Sequence, residues 1–510
     1  MPVTVLGKDS ALPNYARPEF TRVAPDLKLI EDELGGTRAM HDASETYIRK
    51  WSDEETDNYK FRRTCETFFE GLGRTLSAAV GMLFAKPPAV EWNRSRQPVE
   101  AHWANIDAEG TAGHVFVKRF AEAALRDGLA LLMVDHPPAP AGVVVTAANE
   151  DELNLRPTWA FYPRAAVINW QTEVIDNVRT LTLLVLYEPA TERDGEFGIR
   201  TLHRYRVLRL VPVEQDGTIV ARAAEWRLWE MRGDGVRTED FVDMGSGTFR
   251  NRAGQVASRL PVAIGYTGRT DAPMVARPPL LGVAWANLSH WQLSTDLRFN
   301  TIVAGFAQPT LIGRLVSDDQ TGAAPPRLKI GPLVLVNIEQ GGDFRWTEAP
   351  GSGLKQLAEL VLEKLNQIAH LGVSFLQRDT RAPETAEAKR LDAAAENATL
   401  ATAAQGIEDA VNLGFELHAW YLGIDRAGAP VATLSRDYGD TALAADIMTA
   451  YVRGVADAGL PVRLLLEAWQ QGGRIKADED LEALEMEVMA NQQAIADQKA
   501  TEAAKEGDGR

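Results

Sequence analysis

The sequence predicts an α+β protein of several domains, in which long helices carry a β-rich subdomain. Three stretches support that reading. Residues 383–423 contain no glycine before Gly406 and no proline after Pro383, and alanine dominates their first half. Alanine has the highest helix propensity and a proline suits a first helical turn. One helix over this stretch would be about 60 Å long at ~1.5 Å per residue. Residues 281–307 form a second long helical pattern, with Leu281, Trp285, Leu288, Phe299, Ile302 and Phe306 on four-three spacing. Between residues 158 and 266, short apolar runs alternate with turns such as Asp194-Gly195, Asp216-Gly217 and Asp234-Gly235. That alternation is the pattern of antiparallel strands.

Composition sets the bounds. A chain of 510 residues is too long for one simple core and suggests about two to four domains. Hydrophobic content of 45 % and charged content of 25 % are ordinary for a soluble globular protein. No apolar run approaches the ~18–20 residues of a bilayer span, so no membrane partner is expected. The first twenty residues lack the basic start and apolar core of a secretory signal, and a cytoplasmic site of synthesis is expected. Cys65 is the only cysteine, which excludes intrachain disulfides and cysteine-built zinc sites. A net charge of −17 argues against a broad basic face that grips nucleic acid. It is compatible with a surface past which DNA slides, because like charge repels phosphate.

Taken in order, residues 1–20 read as a flexible arm with Pro2, Pro13 and Pro18. A short helix is expected over 25–34, ended by Gly35-Gly36. Ser52-Asp53-Glu54-Glu55 offers an N-cap and acidic first turn to a helix that breaks near Gly71 or Gly73 and stops at Lys86-Pro87-Pro88. Residues 115–128 read as an amphipathic helix leading into a strand over 129–134, and 139–154 as a loop. Strands follow over 158–162, 167–170, 181–186, 205–210, 224–230 and 262–266. After the 281–307 helix, residues 310–349 form a small β-like insert and 354–371 a further helix. Residues 372–382 form a polar bridge. Short helices are expected over 441–459, 462–472 and 479–494, before a charged, disordered tail.

The residues offer little chemistry. None of the eight histidines pairs with another at i,i+4, and no His-Glu-x-x-His or Gly-x-Ser-x-Gly occurs. Cys65, beside Glu66, reads as a packing residue. Gly351-Ser352-Gly353-Leu354-Lys355 resembles a phosphate loop but lacks its spacing. Asp318-Asp319 lacks the spaced oxygen ligands of a cation site. Glu54-Glu55 and Asp478-Glu479-Asp480 read as solvated faces. Neither an enzymatic activity nor a cofactor is expected. Arg378, Arg381, Lys389 and Arg390 form a solvated cluster in a lone monomer, or a positive girdle in a ring with a central hole.

A set of weak motifs in a fairly specific order covers about residues 45–425. It comprises Tyr59-x-x-Arg62-Arg63, Arg74-Thr75-Leu76, and Val80-Gly81-Met82-Leu83-Phe84-x-Lys86-Pro87-Pro88. Gly128 follows, with Leu132-Met133-Val134-Asp135-x-Pro137, then Arg156-Pro157-x-Trp159-x-x-Tyr162 and Ile168-Asn169-Trp170. Next come Pro279-Leu280-Leu281-Gly282, Asn287-x-Ser289-x-x-Gln292-x-Ser294-x-Asp296-Leu297-Arg298, and Glu384-Thr385-Ala386. In this the chain resembles the portal proteins of tailed bacteriophages, in the branch known only as a domain of unknown function.

The resemblance implies a twelvefold homo-oligomeric ring at one capsid vertex of a virion, assembled in the host cytoplasm. Double-stranded DNA is packaged through such a ring by a terminase motor and later ejected. The implied partners are the terminase large subunit, head–tail adaptor proteins, and capsid and scaffold proteins. The fold implied is α+β and portal-like: an arm (1–20), a wing, helical then β-rich (21–280), a stem helix (281–308) and a small α/β clip (309–349). A second stem helix (350–371), a tunnel loop (372–382), a long wing helix (383–425), a helical crown (426–495) and a disordered tail (496–510) complete it. The channel candidates are then Gln377, Arg378, Asp379, Arg381, Lys389 and Arg390. Candidates for partner binding on the clip are Arg314, Asp318, Asp319, Arg327 and Lys329. The rival readings are a nucleotide-dependent DNA-processing enzyme, or another capsid or connector component.

Overall fold

The computed structural model describes residues 6–93, 96–137, 153, 155–305, 308–312, 340–347, 352–376, 386–435, 461–463, 466 and 481–490. The chain divides into two units, Met1–Ser435 and Arg436–Arg510. In the second, a helix covers 481–490, and Arg463 pairs with Glu482 at 3.9 Å.

The first unit is α+β. It opens with α1 (Pro18–Leu34), α2 (Gly36–Asp42), α3 (Ser44–Tyr47), α4 (Thr56–Arg62) and α5 (Gly71–Leu83). Then come β1 (Ala89–Glu91), α6 (Arg96–Trp103) and α7 (Gly113–Asp127). Strands β2 (Leu129–Asp135), β3 (Thr158–Pro163), β4 (Val167–Ile175), β5 (Val178–Tyr187), β6 (Ala190–Asp194), β7 (Gly198–Gln215), β8 (Thr218–Met231) and β9 (Phe241–Thr248) follow. Strands β10 (Val262–Tyr266), β11 (Thr270–Ala272) and β12 (Val275–Ala276) precede the long helix α8 (Leu281–Gly305). Last are β13 (Gln308–Ile312), β14 (Asp343–Thr347), α9 (Ser352–Leu376), α10 (Ala386–Tyr421) and β15 (Val431–Thr433).

Two antiparallel sheets organise this unit: a small one ordered β10-β2-β3 and a larger one ordered β4-β5-β7-β8-β9, with β6 pairing β7. Strand β2 is central, and its run Leu-Ala-Leu-Leu-Met-Val is buried throughout. A strand covered on both faces carries continuous apolar residues rather than alternation. It leaves α7 through Gly128, which adopts φ +85°; a Cβ there would stand 2.8 Å from the Arg277 carbonyl oxygen. Both the left-handed conformation and the close approach require glycine.

Helix α10 lies on this sheet through small residues. Ala403, Ala404 and Ala410 are buried, and Gly406 meets the β10 backbone. An aromatic cluster joins α10 to α6, α7 and β3: Phe415 lies 5.1 Å from both Trp103 and Trp159, and Phe116 lies 5.9 Å from Trp159, between ring centroids. Such tilted and edge contacts add to the area these rings bury.

Several expectations change. Residues 6–17, expected within a flexible arm, dock on the large sheet: the Asn14 side-chain amide donates to the Gly235 carbonyl at 3.0 Å, and the Arg17 N–H donates to Ile168 at 3.0 Å. Helix α1 starts at Pro18 rather than Pro25, which sits inside it at the cost of one backbone hydrogen bond. Helix α9 continues to Leu376, through five residues expected in the tunnel loop. Gly372 lies inside it where α5 comes close: a Cβ there would stand 2.8 Å from Thr75 Oγ1. Residues 426–435, expected in the crown, belong to the first unit, where β15 pairs with β1. Of the expected clip (309–349), residues 313–339 lie outside the described residues.

Candidate functional site

The feature with the clearest functional geometry is the helix pair α8–α9. The ladder β13–β14 runs antiparallel, with Gln308 opposite Thr347, and so brings the end of α8 and the start of α9 together. The two helices therefore run antiparallel from a shared two-stranded ribbon, each about 37 Å long at ~1.5 Å per residue.

One half of the pair is anchored. All the buried residues of α8 lie between Leu281 and Thr295. Three polar ties hold this half. Asn287 donates Nδ2–H to Glu33 Oε2 of α1 at 3.2 Å, and Gln292 donates Nε2–H to the Tyr47 carbonyl at 2.8 Å. Arg62 of α4 donates to Asp296 at 2.9 Å and twice to Glu54, at 2.7 and 2.8 Å. Its fourth bond goes to the Arg49 carbonyl, and its guanidinium lies 4.0 Å from the Trp51 ring centroid. Glu54 is thus a buried ion partner rather than a solvated acid; the Arg62 hydrogen bonds hold its carboxyl below the usual range. Gly71 completes the anchor, since a Cβ there would stand 2.8 Å from Ile368 of α9.

The other half is not buried among the described residues. No α8 residue after Thr295 is buried, and within 353–372 of α9 only Ile368 and Gly372 are. Apolar side chains remain in the open there: Val303 is 45 % exposed, Leu360 47 % and Leu362 60 %.

Of the channel candidates, Gln377, Arg378, Asp379 and Arg381 lie outside the described residues. Lys389 and Arg390 fall in the first turns of α10. The five clip candidates Arg314, Asp318, Asp319, Arg327 and Lys329 also lie outside the described residues.

Among the buried titratable groups that the sequence did not reveal are His418 and Glu33. His418 of α10 is fully buried; its Nδ1 accepts the Trp159 indole N–H at 3.1 Å and its Nε2 faces His102 Nδ1 at 3.0 Å. Burial, reinforced by His102, depresses its pKa well below the ordinary value. A neutral imidazole with both nitrogens engaged is a packing element, not a base with a free lone pair. Glu33 is the second, and burial pushes its carboxyl up to about 9. Cys65 is half-buried, and burial raises its thiol above the ordinary range, as expected of a packing residue. Among the described residues no group of three or more His, Cys, Asp or Glu is placed to hold a metal, and no helix is long and apolar enough to cross a membrane.

A cleft of about 550 Å³ opens beside the anchored half, lined by Glu66, Phe69, Arg74, His290, Arg298 and Val361 among others. Its charges are mixed, and burial lowers the His290 pKa.

Residues 279–422 match a family model described as "Domain of unknown function (DUF4055)". That span opens two residues before α8 and closes one residue after α10. No curated protein matches the chain. Among solved structures, the chain is similar to a component of the neck of an empty GTA particle computed with C6 symmetry, at 12 % identity and a TM-score of 0.39. That likeness covers 84 % of this chain and 98 % of the other. It is also similar to a component of the neck of a native GTA particle computed with C12 symmetry, at 12 % identity and a TM-score of 0.35, covering 86 % and 99 %. Likeness at this level decides neither fold nor function.

Proposed function

We propose that the chain is a portal-type protomer: a structural, non-enzymatic subunit of a phage-like particle that closes into a ring around a DNA channel. The observation that carries this reading is the α8–α9 pair, whose outer half keeps apolar side chains exposed among the described residues. Exposed apolar stripes mark interaction surfaces, and a head-to-tail contact that closes gives a ring. The order of elements supports the same reading: helix, β ribbon, helix and long helix follow one another within 279–422. That order matches the stem, clip, stem and wing helix implied by the sequence resemblance.

On this proposal, Arg378, Arg381, Lys389 and Arg390 form the positive girdle of an otherwise acidic conduit, and Gln377 and Asp379 stand beside them. Passing phosphates are repelled by the wall and steadied at the girdle. The β13–β14 insert, with Arg314, Asp318, Asp319, Arg327 and Lys329, docks the terminase or adaptor proteins. The ring is twelvefold and sits at the capsid vertex.

Charged substitutions on the helix pair test the reading. Leu362→Glu combined with Val303→Glu is expected to reduce the assembled fraction at least tenfold in sedimentation velocity, with an unchanged far-ultraviolet spectrum. An unchanged assembly would place the subunit contact elsewhere and remove the main support for the proposal.

A further inference from the structure

The junction between α1 and α8 contains a carboxyl group in an unusual setting. Glu33 is 1 % exposed and Asn287 is fully buried. They share one hydrogen bond, from Asn287 Nδ2 to Glu33 Oε2 at 3.2 Å. The remaining oxygen of each, Glu33 Oε1 and Asn287 Oδ1, is buried without a partner. Two orphaned acceptors on the two members of one bonded pair have a simple chemical remedy. A proton on Oε1 turns it into a donor for Oδ1 and closes a two-way acid–amide pair.

The surroundings favour that state. A buried carboxylate persists where a cation or several N–H donors compensate it, and otherwise takes up a proton. Among the described residues no cation acts on Glu33, whose setting is burial and the Asn287 hydrogen bond; Lys28 on the same helix is engaged by Asp32. Asp32 also accepts the Tyr47 hydroxyl at 2.8 Å, and Glu31 adds further negative charge on α1. At the α5 end, Glu70 is directed at Gly36, while Arg74 and His290 of α8 line the open cleft. Helix α9 brings apolar Ile368.

We propose that Glu33 is a protonated acid at neutral pH and that its closed pair with Asn287 is a proton-dependent latch fastening α8 to α1. Each donates one hydrogen bond to the other, Glu33 through its acid hydroxyl and Asn287 through its amide, and neither oxygen is left unpaired. The upward shift caused by burial agrees with this. The inference stands whether or not the chain forms rings.

The sign of the pH dependence follows. The folded pKa, about 9, lies above the ordinary carboxyl value of about 4.3. The folded state then binds more protons than the unfolded state between these values. The latch is at full strength below about pH 4.3, weakens as pH rises, and is lost above about pH 9.

The test compares the full-length protein with Glu33→Gln, which keeps a two-way amide pair with Asn287 at every pH. Urea unfolding is measured for both from pH 5 to pH 9. The wild-type folding constant, relative to E33Q, is expected to fall about tenfold per pH unit. Parallel profiles would overturn the proposal. Infrared spectra of wild-type protein labelled with 13C-glutamate provide a readout that does not require E33Q to fold. A protonated-acid carbonyl band is expected at pH 7 and should be absent at pH 10. A spectrum with only carboxylate bands at pH 7 would also overturn it.

Discussion

Replacing Gly406 by alanine is expected to destabilise the first unit by about 3 kcal/mol or more, although it puts a better helix former into a helix. The propensity gain is worth at most about 1 kcal/mol. Against it stands the geometry: a Cβ at Gly406 would sit 1.9 Å from the backbone carbonyl oxygen of Tyr266 in β10. A side chain can rotate away from such a contact, but a paired strand backbone cannot. The helix must lift off the sheet, and forced repacking of a filled core costs about 1–3 kcal/mol and sometimes more. Gly81 in α5 is the control, since a Cβ there meets nothing within 4 Å. Gly81→Ala is expected to stabilise by about 0.5–1 kcal/mol. Urea denaturation of both variants checks the pair. A neutral Gly406→Ala would mean that α10 does not rest on β10 as closely as described.

Replacing Arg62 by methionine is expected to cost about 3–5 kcal/mol, the usual result of removing one member of a buried ion pair. The size comes less from lost attraction than from what is left behind. Glu54 is 4 % exposed in its side chain and would keep a charge with its main partner gone. Asp296 of α8 would lose its tether to α4, and the Arg49 carbonyl a donor. Adding Glu54→Gln to Arg62→Met removes the stranded charge and should recover a measurable part of the loss. Denaturant midpoints for the single and double variants decide the matter. A loss below about 1 kcal/mol for Arg62→Met would show that the network behaves as a solvated surface pair.

These two residues also show what the sequence reveals. Helix α7 and the strand after it were legible because Gly128 and the run 129–134 announce a boundary and a buried strand locally. Strand β10 was legible for the same reason. Glu54 was misread because its position before α4 suits a solvated first turn, while its partner Arg62 lies two turns on and folds back over it. The helix expected over 354–371 runs on to Leu376, and the reason that position 372 holds glycine, the approach of Thr75 on α5, lies about 300 residues away. The pairing of His102 with His418 and of Glu33 with Asn287 spans hundreds of residues, and no local periodicity records such contacts. Gly406 stood out as an interruption in an alanine-rich helix, but its reason, the Tyr266 carbonyl, lies on a strand about 140 residues earlier.

Within α8, Gln292 and Thr295 interrupt the apolar spacing that runs from Leu281 to Phe306. Thr295 turned out to be buried and Gln292 to tie α8 to Tyr47, so the polar interruptions belong to the anchored half. The uncovered apolar residues Val303, Leu360 and Leu362 lie beyond it, and they are what a neighbouring subunit would bury.

The most direct measurement is the mass and outline of the purified full-length protein, by native mass spectrometry together with negative-stain microscopy. The account predicts a closed ring of about a dozen chains with an axial hole. A monomer that hydrolyses ATP would contradict it.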